Sequence, residues 1–218
     1  GTYLGIVSER RDLLQVISTS SGERVASISD PAIYDASISA DERMIAVAGS
    51  RGVYLADLPT GRLRGPVLES NMLGASSRVG FTPDGSRVLV SSLDRTVSVW
   101  NTTSGQLAFP PLIHEDAIHT LRLVNSGQTL FVSTVDGQGR AWDLTDGKIL
   151  VEPFTLPKEA RLSLSASGRT LIEYSAEGEI RRHHLEANPL RPIAIFHPER
   201  TPKVIRWIRG KLAEVQVV

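Results

Sequence analysis

The chain has 218 residues, and 24 Lys plus Arg balance 24 Asp plus Glu to a formal net charge of zero, which speaks against a partner held mainly through a phosphate backbone. Apolar residues at 41% and charged residues at 22% describe an ordinary globular chain, with no apolar run near the ~20 residues that cross a bilayer as a helix. Cysteine is absent, so disulfides, thiolate metal sites and thiol catalysis are excluded. The chain opens on Gly1 rather than Met, so a cut N-terminus is expected and the lack of a leader carries no weight.

A pass along the chain finds five repeated units. The first, residues 1–30, lacks an opening strand and carries the turn Ser21-Gly22. The second, 31–70, reads Asp35–Ile38, the turn Ala40-Asp41-Glu42, strands Met44–Val47 and Val53–Ala56 around Arg51-Gly52, then Thr60-Gly61. The third, 71–114, reads Arg78–Phe81, Pro83-Asp84-Gly85, strands Val88–Ser91 and Thr96–Trp100 around Leu93-Asp94-Arg95, then Ser104-Gly105. The fourth, 115–156, reads His119–Leu123, Asn125-Ser126-Gly127, strands Leu130–Ser133 and Gly139–Trp142 around Asp136-Gly137, then Asp146-Gly147. The fifth, 157–200, reads Arg161–Leu164, Ala166-Ser167-Gly168, strands Leu171–Tyr174 and Glu179–Arg182 around Glu177-Gly178, with Asn188 at the fifth glycine place. Residues 201–218 supply either a closing strand or the start of a further blade, Val204–Ile208 then Leu212–Val217.

Two turn series thus run in phase. Gly22, Gly61, Gly105, Gly147 and Asn188 are spaced 39, 44, 42 and 41 residues apart, and the apolar residues Ile38, Phe81, Leu123 and Leu164 by 43, 42 and 41. The strands between them are β-branched and aromatic, and no stretch keeps a helical period, so almost no helix is expected. A four-stranded sheet of this size cannot bury both faces alone. Radial repetition buries them against neighbours, and a unit of ~42 residues marks a propeller blade. The fold predicted is an all-β propeller of about five four-stranded blades, one domain over residues 1–218. Either it is a piece of a longer propeller or a small ring closed by the tail.

The third unit, Phe81-Thr82-Pro83-Asp84-Gly85, then Asp94-Arg95-Thr96-Val97-Ser98-Val99-Trp100-Asn101, resembles the WD40 repeat. So does the fourth, with His114, Asp136, Trp142-Asp143 and Asp146-Gly147. The second and fifth match weakly, with Ala56-Asp57 and His183-His184 in place of Trp-Asp. The Pro-Leu before His114 is similar to bacterial members. The resemblance implies a structural tetrad of His114, Ser133 or Thr134, Asp136 and Trp142, and implies that the fourth blade is the best ordered. It also implies a non-catalytic scaffold that docks a protein through its loops, beside other domains of one parent chain in a signalling or effector protein of the cytoplasm.

Scaffolded loops carry binding more often than the strands that hold them. The partner-binding candidates are therefore Arg51, Asp94, Arg95, Gln138 and Glu177 in loops within blades, and Asn71, Met72 and Leu73 in a loop between them. Leu73 has the alternative of tucking onto its blade. No zinc-protease spacing, phosphate loop or nucleophile elbow occurs, so no catalytic residue, cofactor or metal is assigned. His183 and His184 are adjacent on a strand and point to opposite faces. The loop Asp136–Gly139 is too short for calcium. The basic tail around Trp207 reads as a solvated edge. The alternative function is a lactonase-like or dehydrogenase-like propeller enzyme with its site in the central channel. It would draw on the inner-strand residues Asp35, Arg78, His119, Arg122 and Arg161.

Overall fold

The computed structural model describes residues 2–58, 60–70, 72–156, 161–165, 170–174, 179–184, 192–196, 202–208 and 211–217. Among them every regular element is a strand, apart from one 3₁₀ turn at Asn125–Gly127. The chain divides into two units, residues 1–118 and 119–218.

The first unit holds β1 (Tyr3–Val7), β2 (Leu13–Ser18) and β3 (Arg24–Ser29) in one antiparallel sheet. A second contains β4 (Ile33–Ile38), β5 (Met44–Gly49) and β6 (Gly52–Asp57). A third, in the order β10-β9-β8-β7, contains β7 (Arg78–Phe81), β8 (Arg87–Ser91), β9 (Thr96–Asn101) and β10 (Leu112–Ile113). The fourth strand expected in the second sheet shrinks to the bridges Val53–Leu68 and Ala56–Leu63. Pro66 lies between them and has no N–H to give a ladder. β10 is short for the same reason, following Pro110-Pro111.

The period seen in the sequence is repeated in the hydrogen bonds. Gly22, Gly61, Gly105 and Gly147 all have φ between 66° and 75°. Each donates its N–H to the carbonyl four residues back, at Ser18, Asp57, Asn101 and Asp143, over 2.8–2.9 Å. This left-handed turn is the one a glycine enters without steric cost. The other series is closed by a hydroxyl. Ser39, Thr82 and Ser165 each accept from the amide five residues on, at Met44, Arg87 and Thr170, over 3.0–3.1 Å.

Packing explains why the sheets need one another. β5 is buried on both faces. Ile45 and Val47 join Leu14, Val16, Ile28 and Ile33 in one core cluster. The alternate residues Ala46 and Ala48 join Val53, Val79, Val88 and Val90 in another. A strand with period two thereby seals two sheet interfaces, and an apolar residue at nearly every position is what such a strand needs.

The second unit contains β11 (Ile118–Val124, opening at the boundary), β12 (Thr129–Thr134), β13 (Gln138–Asp143) and β14 (Ile149–Thr155) in one sheet. A further sheet has β15 (Arg161–Leu164), β16 (Thr170–Tyr174), β17 (Ile180–His184) and β18 (Pro192–Phe196). β19 (Pro202–Ile208) and β20 (Lys211–Val217) pair with each other as a two-stranded antiparallel sheet. Phe131, Ala141, Leu156 and Leu171 form a core between the first two of these sheets.

Candidate partner-binding rim

In the second and third sheets the turn between the second and third strands lies at the same end of the sheet as the start of its first strand. Arg78 pairs with Ser91, and Ile33 with Gly49, which sets the turns Leu93–Arg95 and Arg51-Gly52 beside those starts. In the first unit the loop 70–78 is fastened onto the turn 92–95. Ser70 Oγ lies 2.9 Å from Ser92 Oγ, Leu93 N donates to Met72 O at 3.0 Å, and Arg78 N donates to Ser91 Oγ at 2.9 Å. Gly74 is buried there, and a Cβ on it would stand 2.6 Å from Leu93 Cδ1.

The candidate residues fall as follows. Met72 is 65% exposed and holds φ 50°. Leu73 turns inward and packs against the cluster of Ala46, Val79 and Val88. Arg95 is exposed, holds φ 68°, and donates from Nη1 to the Glu115 carbonyl at 2.8 Å. Asp94 is half-buried and accepts from Thr96 N and Oγ1 at 3.2 and 2.7 Å, a turn-capping role. Arg51 is exposed and ion-pairs with Asp30 at 3.3 Å. Gln138, in the second unit, reaches Thr155 Oγ1 at 3.3 Å. Asn71 and Glu177 lie outside the described residues. Leu93, 48% exposed, is a rim residue that sequence reasoning took for a turn; its apolar side chain in a polar turn was the available signal.

Of the tetrad, His114 is buried in the first unit, and Ser133, Thr134 and Trp142 are buried in the second. Within the second unit it is the Thr134 hydroxyl that donates to Asp136, at 2.6 Å. In the third repeat Ser70 holds the place of His114, two residues after a buried leucine in each case. Its hydroxyl goes to Ser92, and the Trp100 indole N–H is buried without an acceptor.

The second sheet builds a different centre, which sequence reasoning missed. Asp30 is 2% exposed. It accepts from Ser50 Oγ (2.6 Å), Ser50 N (2.8 Å), Ala32 N (3.0 Å), Tyr54 Oη (2.6 Å) and Arg51 Nε (3.3 Å). Burial works to raise its carboxyl, but the hydroxyls of Ser50 and Tyr54 and the two amides outweigh it and hold it well below the usual carboxylate range. Gly49 makes room, since a Cβ there would stand 2.7 Å from Asp30 Cγ. The signal was an acid set three residues before an inner strand and followed by Pro31.

A second missed pair lies across β16 and β17. Glu173 and His183 are 2% and 6% exposed, with Nε2 and Oε2 3.0 Å apart, and Arg181 Nη1 stands 3.7 Å from Oε1. His183 is packed, its ring stacked on Phe154.

Of the inner-strand candidates, the side chain of Arg161 lies outside the described residues. Asp35 Oδ2 accepts the Val79 amide at 2.9 Å, Arg78 donates to the carbonyls of its own loop, and His119 and Arg122 are exposed. Among the described residues no three His, Cys, Asp or Glu side chains converge to hold a metal. A cleft of about 670 Å³ in the first unit lies beside β1, whose outer edge pairs with no strand among the described residues, and is lined in part by Val7, Leu14, Ile33 and Asp35.

A family model described as "WD domain, G-beta repeat" matches residues 70–101, the stretch that carries this fastened corner. Two relatives named "Periodic tryptophan protein 2 homolog" are similar to the chain. The one from Schizosaccharomyces pombe is 32% identical over 113 residues, 49% of this chain and 13% of that protein. The one from Dictyostelium discoideum is 35% identical over 68 residues, 30% of this chain and 7% of that protein. The chain thus spans a small share of these relatives' own length.

Proposed function

We propose that the chain, which carries a WD40 repeat at residues 70–101, is a non-catalytic interaction scaffold that docks a protein partner through the rim at loop 70–78 and turn 92–95. The observation that carries this is the exposure of Met72 and Leu93, 65% and 48%, on loops held in place by backbone and hydroxyl hydrogen bonds. Rigid loops with apolar side chains left outside a packed sheet are a recognition surface. A site in a propeller channel has less support, because Asp35 is engaged by the Val79 amide.

The scaffold is read as one part of a larger signalling or effector protein, with the share of each relative that is covered in keeping with this. The Pro111-Leu112-Ile113-His114 stretch supports a bacterial cast. Among the described residues no helix is long and apolar enough to cross a membrane, and the cytoplasm is the compartment proposed.

The test compares Met72→Asp and Arg95→Glu with the wild type, measuring partner capture by the full protein and the thermal midpoint. Lost capture at an unchanged midpoint is expected. A lowered midpoint with capture intact overturns the reading, and stoichiometric metal in the purified protein turns it toward the enzyme.

A further inference from the structure

We infer that the corner formed by loop 72–78 and turn 92–95 takes a short peptide segment in which a large apolar side chain stands next to one or two carboxylates. This deepens the scaffold reading above and rests on it.

The apolar half of the surface is the adjacent pair Met72 and Leu93, joined through the Leu93 N to Met72 O hydrogen bond. The charged half is Arg78 and Arg95, both exposed. Neither meets a carboxylate among the described residues. Arg78 Nη1 donates to Ser77 O at 2.9 Å and Ala75 O at 3.3 Å, and Arg95 Nη1 to Glu115 O at 2.8 Å. A guanidinium has five N–H donors. Neutral carbonyls fix one nitrogen of each fork and leave the full positive charge and the remaining donors for a carboxylate.

Asp94, adjacent to Arg95 in the chain, is occupied by Thr96. Glu69, Glu115 and Asp116 flank the corner. They repel a polyanion such as nucleic acid, and so limit the ligand to one or two localised carboxylates. Met72 and Arg95 also hold left-handed backbone, which is a cost for a side chain other than glycine. A glycine at residue 72 would relieve it.

The experiment is selection of a displayed library of random short peptides on the full chain. It is repeated on Met72→Gly and on the double variant Arg78→Gln with Arg95→Gln, with urea unfolding of each protein. Peptides that pair an apolar residue with a neighbouring Asp or Glu are expected to enrich on the wild type. The best of them should bind about tenfold or more weakly to each variant, the scale of a lost charge-assisted contact or a buried apolar side chain. Met72→Gly should unfold no more readily than the wild type. Enrichment of basic or uncharged peptides that still depends on Met72 leaves the scaffold reading standing and overturns the acidic ligand. Equal enrichment on all variants, or none on any, overturns both, and tight binding of a fluorescent oligothymidine replaces the peptide with nucleic acid.

Discussion

Replacing Asp30 by alanine should unseat the second sheet. The carboxylate is the common acceptor of five donors. Arg51, with a side chain 63% exposed, can turn to water, and the Ser50 hydroxyl can rotate. The Tyr54 hydroxyl and the amides of Ala32 and Ser50 have no such freedom. A stranded buried donor costs about 1–3 kcal/mol, and removing one side of a buried charge network typically costs about 3–5 kcal/mol, so Asp30→Ala should lose about 3–5 kcal/mol. Asp30→Asn, which keeps one acceptor oxygen, should lose about 2 kcal/mol, and Tyr54→Phe about 1–2 kcal/mol. Because Asp30 and Tyr54 touch, the double variant should fall short of the sum by about 1 kcal/mol. Urea unfolding, read with hydrogen exchange at the amides of β4 to β6, measures this even where repeats unfold separately. The pH dependence follows from the same contacts. The folded carboxyl titrates below its ordinary value of 3.8. Its stabilisation is therefore complete above that value and is lost as pH falls toward the folded one, at no more than about 1.4 kcal/mol per pH unit. Wild type should lose stability more steeply than Asp30→Asn below about pH 4. An Asp30→Ala protein within about 0.5 kcal/mol of wild type, or strict additivity with Tyr54→Phe, would refute the assignment of Asp30 as the anchor.

Burial, then the hydrogen bond to Asp30, pushes the Tyr54 hydroxyl up to about 12. Its share of stability is whole below 10.0 and is lost as pH rises through about 12, so ultraviolet titration should show a late phenol phase that vanishes in Tyr54→Phe. Glu173→Leu strands the His183 ring and should cost about 3 kcal/mol. Adding His183→Phe should recover at least about half of that, since an apolar pair of similar volume replaces a buried polar one; calorimetry of the single and double variants decides it. Gly52→Ala should cost about 3 kcal/mol or more in chemical denaturation. Gly52 holds φ 128°, and a Cβ there would stand 2.5 Å from Val67 Cγ1 and 2.9 Å from the Leu68 carbonyl.

The sheets were legible because their turns demand particular residues at fixed intervals: Gly22, Gly61, Gly105 and Gly147 all adopt one left-handed turn. The strand alternation was legible for the same reason. Asp30 was not, because an acid before proline is an ordinary turn pattern, and only the fold brings Ser50 and Tyr54 to it from twenty or more residues away. The Glu173–His183 contact was hidden likewise, its partners ten residues apart on two strands. Met72 and Leu73 are neighbours of similar hydrophobicity, and which of them faces inward depends on how loop 70–78 docks on turn 92–95. The shortness of the outer strand in the second and third sheets was not legible, because it depends on where Pro66 and Pro110-Pro111 fall relative to the ladder.

The alternating sizes along β5 have a mechanical consequence. Methyl-sized Ala46 and Ala48 let the neighbour on one flank approach closely, while bulky Ile45 and Val47 hold off the neighbour on the other. One ribbon therefore sets two gaps independently. Enlarging an alanine would wedge open a single hinge line, and trimming the isoleucine would let the opposite joint sag, so mutations at adjacent residues, about 3.3 Å apart along the strand, would strain different neighbours.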